Sequence, residues 1–180
     1  LCSLFQSVTP RTAGFNTVDL TSLRESGQAI IILLMLIGGS PGSTAGGMKT
    51  TTVAVLFATA LSTFRRKEDT HFFGRRIEDG VVKNAATIGF LYVALFLFGG
   101  LAISMAEGLP MLTCLFESAS AVGTVGLSLG ITPSLGVLSR IILILLMFFG
   151  RVGGLTLIFA ALSGTQKQAA KFPQEKITVG

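Results

Sequence analysis

The sequence has 180 residues, 50% of them hydrophobic and 13% charged, with a mean hydropathy of +0.73 and no tryptophan. A soluble domain ordinarily carries about 25% charged residues, so a chain that faces water on all sides is excluded. The formal net charge of +5 comes without aromatic–basic interleaving, which excludes nucleic acid as a partner. Basic loops between apolar spans suit the cytoplasmic face of a membrane instead.

In chain order, "LFQSVTPRTAGFNT" (4–17) predicts the end of a short helix and a loop through Thr12, Ala13, Gly14, Phe15 and Asn16. An apolar stretch from about Ser26 to Phe64 follows, interrupted by "GGSPGSTAGGMKTTT" (38–52). That interruption resembles a phosphate-binding loop, which requires Gly, four residues, Gly, then Lys and Ser/Thr. From Gly42 the second glycine falls correctly at Gly47, but Met48 comes next and Lys49 is one place late. Its setting inside an apolar helix points to a helix broken within the membrane, where Pro41 prevents the helix from re-forming. Ser40, Ser43 and Thr44 offer polar contacts in place of the lost helical bonds.

The segment 65–83 holds six of the 14 basic residues. Val81 to about Ala106 predicts a continuous spanning helix, since about 20 residues cross a bilayer core. "MLTCLFESASAV" (111–122) is too short to span; it follows Pro110, a good first helical residue, and leads into "TVGLS" (124–128). A re-entrant helix is the natural reading. Leu135 to Leu162 predicts another span, with Arg151 near its middle, and three more basic residues lie in the tail 164–180. Cys2 and Cys114 are isolated and show neither metal-ligand spacing nor a disulfide framework.

The chain repeats itself. Thr12 to Thr124, Gly14 to Gly126, Met35 to Met147 and Gly38 to Gly150 are all shifts of 112, while Leu4-Phe5 to Leu115-Phe116 is 111, an insertion of one residue. Each unit reads as spanning helix, short re-entrant helix, Thr-x-Gly loop, spanning helix. The first copy lacks its opening helix here, so the sequence is expected to be part of a longer one. The expected divisions are 1–63, the second part of one repeat; 64–83, a cytoplasmic loop; 84–163, a complete repeat; and 164–180, a cytoplasmic tail.

The two loops Thr12–Asn16 and Thr124, Val125, Gly126, Leu127 and Ser128 resemble the Thr-Val-Gly core of potassium-channel filters. Such filters replace a cation's hydration shell with main-chain carbonyls. Glycine supplies the positive φ needed to aim successive carbonyls at one axis, and the C-terminal end of the re-entrant helix directs partial negative charge at the ion.

"TPRTAGFNTVDL", "GGSPGSTAGGMKTTT", "FGRRI", "GRVGGLTL" and "FPQEKITVG" together resemble the membrane subunit of Ktr potassium-uptake systems, in the Trk/Ktr/HKT cation-transporter superfamily. The resemblance implies an all-α polytopic membrane protein with four such repeats around a pore. It implies potassium as the transported ion, sodium as a candidate coupling or activating ion, and no cofactor bound by this chain. It further implies a multi-pass bacterial inner-membrane location among lipid, a homodimer, and a cytoplasmic nucleotide-binding ring as partner. In this family the third-repeat break acts as a gate, here Gly38, Gly39, Ser40, Pro41, Gly42, Ser43, Thr44, Ala45, Gly46, Gly47 and Lys49, opposed by Arg151. "GRVGG" at the same depth predicts that the fourth copy loosens there too.

Arg151 has a second reading, as structural glue bonded to neighbouring carbonyls, and Lys49 one as a residue snorkelling to the membrane edge. Glu117, matched to Gln6, braces the filter in preference to binding the ion. His71, Asp19, Arg24 and Glu25 read as solvated. The rival transport reading is a coupled secondary transporter whose broken helix binds another solute. The rival from outside transport is a nucleotide hydrolase using 38–52.

Overall fold

The structure, a computed structural model, describes residues 2–66, 69–72 and 74–152. Among the described residues six α-helices carry the fold: α1 (Cys2–Val8), α2 (Glu25–Leu36), α3 (Thr50–Phe64), α4 (Asp79–Glu107), α5 (Met111–Gly123) and α6 (Val137–Val152). Strands β1 (His71–Phe72) and β2 (Arg75–Arg76) form a short antiparallel hairpin between α3 and α4, pairing His71 with Arg76. The broken span is therefore α2, loop, α3, with the helix ending at Leu36 and resuming at Thr50, two residues outside the expected break at each end.

α4 is 29 residues long, about 43 Å at 1.5 Å per residue, enough to cross a hydrocarbon core of about 30 Å. Among the described residues it is the one helix long and apolar enough to span by itself. It starts at Asp79, so the expected boundary at 84 falls inside it. Gly108 ends it in the left-handed region (φ +66), its N–H donating to the Ser104 carbonyl at 2.9 Å. Pro110 then caps α5.

α5 is the centre of the molecule. It packs against α2, α4 and α6, and every residue from Phe116 to Gly123 is buried, as is Cys114. Its small residues let neighbouring backbones approach closely. The Ser118 hydroxyl donates to the Phe96 carbonyl of α4 at 2.8 Å, and a Cβ on Gly100 would lie 3.2 Å from the Leu115 Cα. One side of α5 shares a core with Ile31, Ile32, Met35 and Leu36 of α2 and Phe96 of α4. The other packs with Tyr92 and Ile103 of α4 and Leu143 and Leu146 of α6.

The outside is apolar. Phe90, Val93, Leu97, Leu101 and Met105 lie exposed along α4, and Val137, Leu138, Ile141, Ile144 and Phe148 along α6. Such continuous stripes are unsupportable in water and ordinary against lipid or neighbouring helices.

The expected loosening at "GRVGG" does not begin at its first residues. Gly150 and Arg151 remain helical in α6, whereas Gly38 lies outside α2. Gly150 is held by packing: a Cβ there would come within 2.8 Å of the Val122 carbonyl carbon at the end of α5, and the Tyr92 hydroxyl donates to the Gly150 carbonyl at 3.2 Å. Residues 153–180, with the rest of "GRVGG" and the tail, lie outside the described residues.

Candidate functional site

The two Thr-x-Gly loops share an unusual backbone. Thr12 (φ +65) and Thr124 (φ +52) are two of three non-glycine residues with positive φ among the described residues, and Gly14 (φ +71) and Gly126 (φ +89) match as well. A left-handed threonine costs about 1–2 kcal/mol, so its recurrence at matched positions of a repeat requires support from its surroundings. In the second loop the N–H groups of Thr124 and Val125 donate to the carbonyls of Ala121 and Ser120 at 3.1 and 2.9 Å. In the first, Ala13 and Gly14 both donate to the Thr9 carbonyl, at 3.1 and 3.2 Å. The buried Thr9 hydroxyl donates to the Phe15 carbonyl at 2.6 Å.

The loops also meet. A Cβ on Gly14 would fall on the carbonyl group of Val125 and within 3.7 Å of the Gly126 Cα. Val125 and Leu127 are buried while Phe15 is exposed and Ser128 half-buried. Asn16 turns its side-chain oxygen to the Val18 N–H at 3.3 Å.

Glu117 ties the end of the second loop to the turn that follows it. Its buried carboxylate accepts from the Ser128 hydroxyl at 2.7 Å, the Leu129 N–H at 3.0 Å and the Thr132 hydroxyl at 2.9 Å. Three donors converge on it, which fits a brace for residues 128–132. Asp19, outside the spans, accepts from the Thr21 hydroxyl and N–H, and these bonds hold its carboxyl below the usual carboxylate range.

The glycine-rich loop is closed at its neck by main chain. Gly38 N–H donates to the Met48 carbonyl at 2.8 Å, Met48 N–H to the Leu36 carbonyl at 3.1 Å, and Thr50 N–H to the Gly39 carbonyl at 3.2 Å, pairing Ile37 with Met48 as a parallel bridge. The hydroxyls expected to replace helical bonds do little. Ser43 Oγ accepts from the Ala45 N–H at 3.4 Å, while Ser40 and Thr44 contribute carbonyls instead, to the Ser43 N–H at 3.1 Å and to Arg151. Gly42 (φ +84) sits at the exposed tip beside Pro41.

Both cations turn onto this loop. Lys49 Nζ donates to the carbonyls of Ala45 (2.6 Å) and Ser43 (3.2 Å), so it does not snorkel away. The Arg151 guanidinium donates to the Thr44 carbonyl from 107 residues along the chain. Three consecutive carbonyls, 43–45, are thus held by two cations. The far end of the loop is docked: Gly46 and Gly47 are buried, and the Gly46 N–H donates to Thr124 Oγ1 at 3.1 Å. A Cβ on Gly46 would lie 2.7 Å from Thr124 Cγ2 and 3.0 Å from the Gly123 carbonyl oxygen.

A nucleotide has no place in this arrangement. A phosphate loop follows a strand and frees its lysine for phosphate oxygens, whereas this loop follows α2 and its lysine is bonded to the loop's own carbonyls. Of the expected loop residues, Gly14, Gly46 and Gly47 meet the chain just at or after the C-terminal end of α5, and Arg151 reaches the Thr44 carbonyl, while Ser40, Pro41 and Gly42 stay exposed. What sequence reasoning missed is the tertiary closure: Gly46 on Thr124, and Gly123, whose Cβ would lie 2.5 Å from the Met35 carbonyl oxygen. Buried glycines flanked by small residues were the available signal.

Fold and site together define a class: an all-α chain with one helix of spanning length, shorter apolar helices packed around α5, and two matched Thr-x-Gly loops. The comparisons make it particular. Residues 1–171 match the TrkH family, described as cation transport protein, and the chain belongs to that family, a transport family and not an enzyme family. It is 38% identical over 178 residues to the Ktr system potassium uptake protein B of Bacillus subtilis, covering 99% of this chain and 40% of that one. It is likewise 38% identical over 184 residues to the potassium/sodium uptake protein NtpJ of Enterococcus hirae, covering 99% of this chain and 41% of the relative. The crystal structure of the potassium transporter TrkH from Vibrio parahaemolyticus superposes with a TM-score of 0.74 at 24% identity, covering 88% of this chain and 36% of that one; this likeness supports the fold. The chain spans about 40% of the length of the curated relatives it matches. It is an integral-membrane chain.

Proposed function

We propose that this chain forms part of a pore for selective potassium uptake across the bacterial inner membrane. In this reading residues 12–16 and 124–128 are filter segments, residues 38–49 are the gate, and Lys49 and Arg151 hold that gate closed. The observation that carries it is the pairing of the two loops: matched left-handed Thr and positive-φ Gly residues, with Gly14 packed on the Val125 carbonyl. Two glycine loops meeting at the end of a re-entrant helix suit a cation that exchanges water for main-chain oxygens. A glycine-rich segment gripped at 43–45 and docked at Gly46 suits a gate.

The relatives' names divide between potassium uptake and potassium/sodium uptake, so sodium is kept as a coupling or activating ion. The basic segment 65–83 faces the cytoplasm by its charge, and the same surface suits a cytoplasmic nucleotide-binding ring, with the whole transporter a homodimer among lipid.

The test is potassium flux into vesicles containing the full-length transporter, with and without sodium, for wild type and for deletion of 42–46. Higher flux with unchanged ion selectivity is expected from the deletion. Lower flux from a normally folded variant would mean that the loop supports the conduit.

A further inference from the structure

The glycine-rich loop is held in two different ways. Its exposed half, Ser40–Thr44, is gripped through carbonyls by Lys49 and Arg151. Its buried half is held by one side chain from a distant element: Thr124 Oγ1 accepts the Gly46 N–H at 3.1 Å. Thr124 is the first residue after α5, in the left-handed region at φ +52, with its own N–H tied to the Ala121 carbonyl. Gly47 (φ +71) continues the contact, since a Cβ there would lie 3.5 Å from the Gly123 Cα. The last turn of α5 is therefore enclosed between the end of α2, through Met35, and the Gly46–Gly47 backbone.

We infer that Thr124 is the positioning residue for the gate: its hydroxyl latches the loop against the inner end of the filter, so that docking of the loop and the state of the filter are coupled. This rests on the gate and filter reading above and adds the link between them. The chemistry suits a reversible latch. A single neutral hydrogen bond to a glycine N–H is weak enough to break in a working cycle, and glycine leaves no side chain between the two backbones. Leaving the bond unmade strands a buried N–H, so a loop without its acceptor moves towards water. Coupling between sites is reciprocal. When the loop leaves, the Thr124 hydroxyl loses its donor, and the oxygen at the first filter position becomes free to face a cation.

The test is the modification rate of a cysteine placed at Ala45, half-buried next to Gly46, in full-length transporter otherwise free of cysteine, in vesicles exposed on both sides to a charged thiol reagent. Thr124→Val keeps the shape and removes the acceptor; it is expected to raise the rate about three- to tenfold, the factor one hydrogen bond supports. Thr124→Ser restores the acceptor and is expected within twofold of wild type. Gly46→Ala crowds Thr124 from the other side and is expected to raise the rate as well. Equal rates for wild type and Thr124→Val would overturn the latch, as would a Thr124→Ser rate matching Thr124→Val. Should Thr124→Val fail to fold, Gly46→Ala and Thr124→Ser decide the matter on the same readout. The readout is loop exposure and not flux, so a deletion of 42–46 that leaves flux unchanged sinks the gate assignment while the labelling still judges the contact.

Discussion

Gly14 lies so close to the Val125 carbonyl that no side chain fits between them, although 111 residues separate the two in sequence. Gly126, matched to Gly14 by the repeat, has no such neighbour among the described residues: a Cβ there meets nothing within 4 Å. Both have positive φ. The two glycines therefore separate backbone strain from steric overlap.

An alanine at either glycine adds the left-handed penalty of about 1–2 kcal/mol, but Gly14→Ala also drives a methyl group into main chain, where overpacking costs about 1–3 kcal/mol more. Gly14→Ala is expected to lower the melting temperature of the detergent-solubilised transporter further than Gly126→Ala, and to abolish flux. Equal shifts would show that the two loops part in the complete protein.

Removing either cation from the loop carbonyls should free the segment proposed as the gate. Hydrogen bonds to charged groups are worth about 1.5–3 kcal/mol, and Lys49 and Arg151 hold adjacent carbonyls, 43 to 45. Lys49→Met and Arg151→Met are each expected to raise potassium flux several-fold. Because they restrain one short segment, the double variant should gain less than the sum of the two. Additive gains would place the two residues on independent restraints.

The repeat was the most legible feature of the sequence, because shifts of 112 and 111 carry the same element order into both copies, and the ends of α4 and α5 fell within two residues of expectation. Local composition said enough about where helices stop: Pro41 and five glycines cannot continue α2. It could not say what the freed backbone does next. The Ile37–Met48 bridge, the inward turn of Lys49 and the docking of Gly46 on Thr124 depend on elements up to 78 residues apart. The unbroken helix at Gly150 has the same origin. A repeat partner of Gly38 in sequence, it is fixed by contact with Val122 and Tyr92, which the broken copy does not share. The hairpin at 71–76 was hidden by its charges, and the exposed ion pair Arg76–Asp69 at 3.0 Å adds little to it.

Glu117 offers a test of bracing against ion binding. Its two oxygens receive Ser128, Leu129 and Thr132. A glutamine keeps one acceptor for Ser128 and Leu129, and its amide can donate to the Thr132 hydroxyl, which is free to turn round. The first copy carries Gln6 at this place. Glu117→Gln is therefore expected to retain near-normal melting temperature and potassium flux. Glu117→Ala strands the half-buried Leu129 N–H at up to about 1–3 kcal/mol and should lose both stability and selectivity. Lost flux in a normally folded Glu117→Gln would mean that the carboxylate charge itself meets the ion.

Gly126→Ser carries the selectivity question. The open space around Gly126 among the described residues admits a hydroxymethyl group, so the substitution acts through the backbone. At φ +89 a serine is strained, and the chain relieves that strain by rotating towards negative φ, which swings the adjoining carbonyls off their shared direction. A potassium ion needs several aligned oxygens in place of its water shell; a smaller sodium ion, which can keep part of its hydration in a loosened site, suffers less. The ratio of potassium to sodium permeability, read from reversal potentials of the full-length transporter, should fall while total flux persists. A ratio equal to that of wild type would remove Gly126 from the filter, and with it the reason for matching positive φ at Gly14.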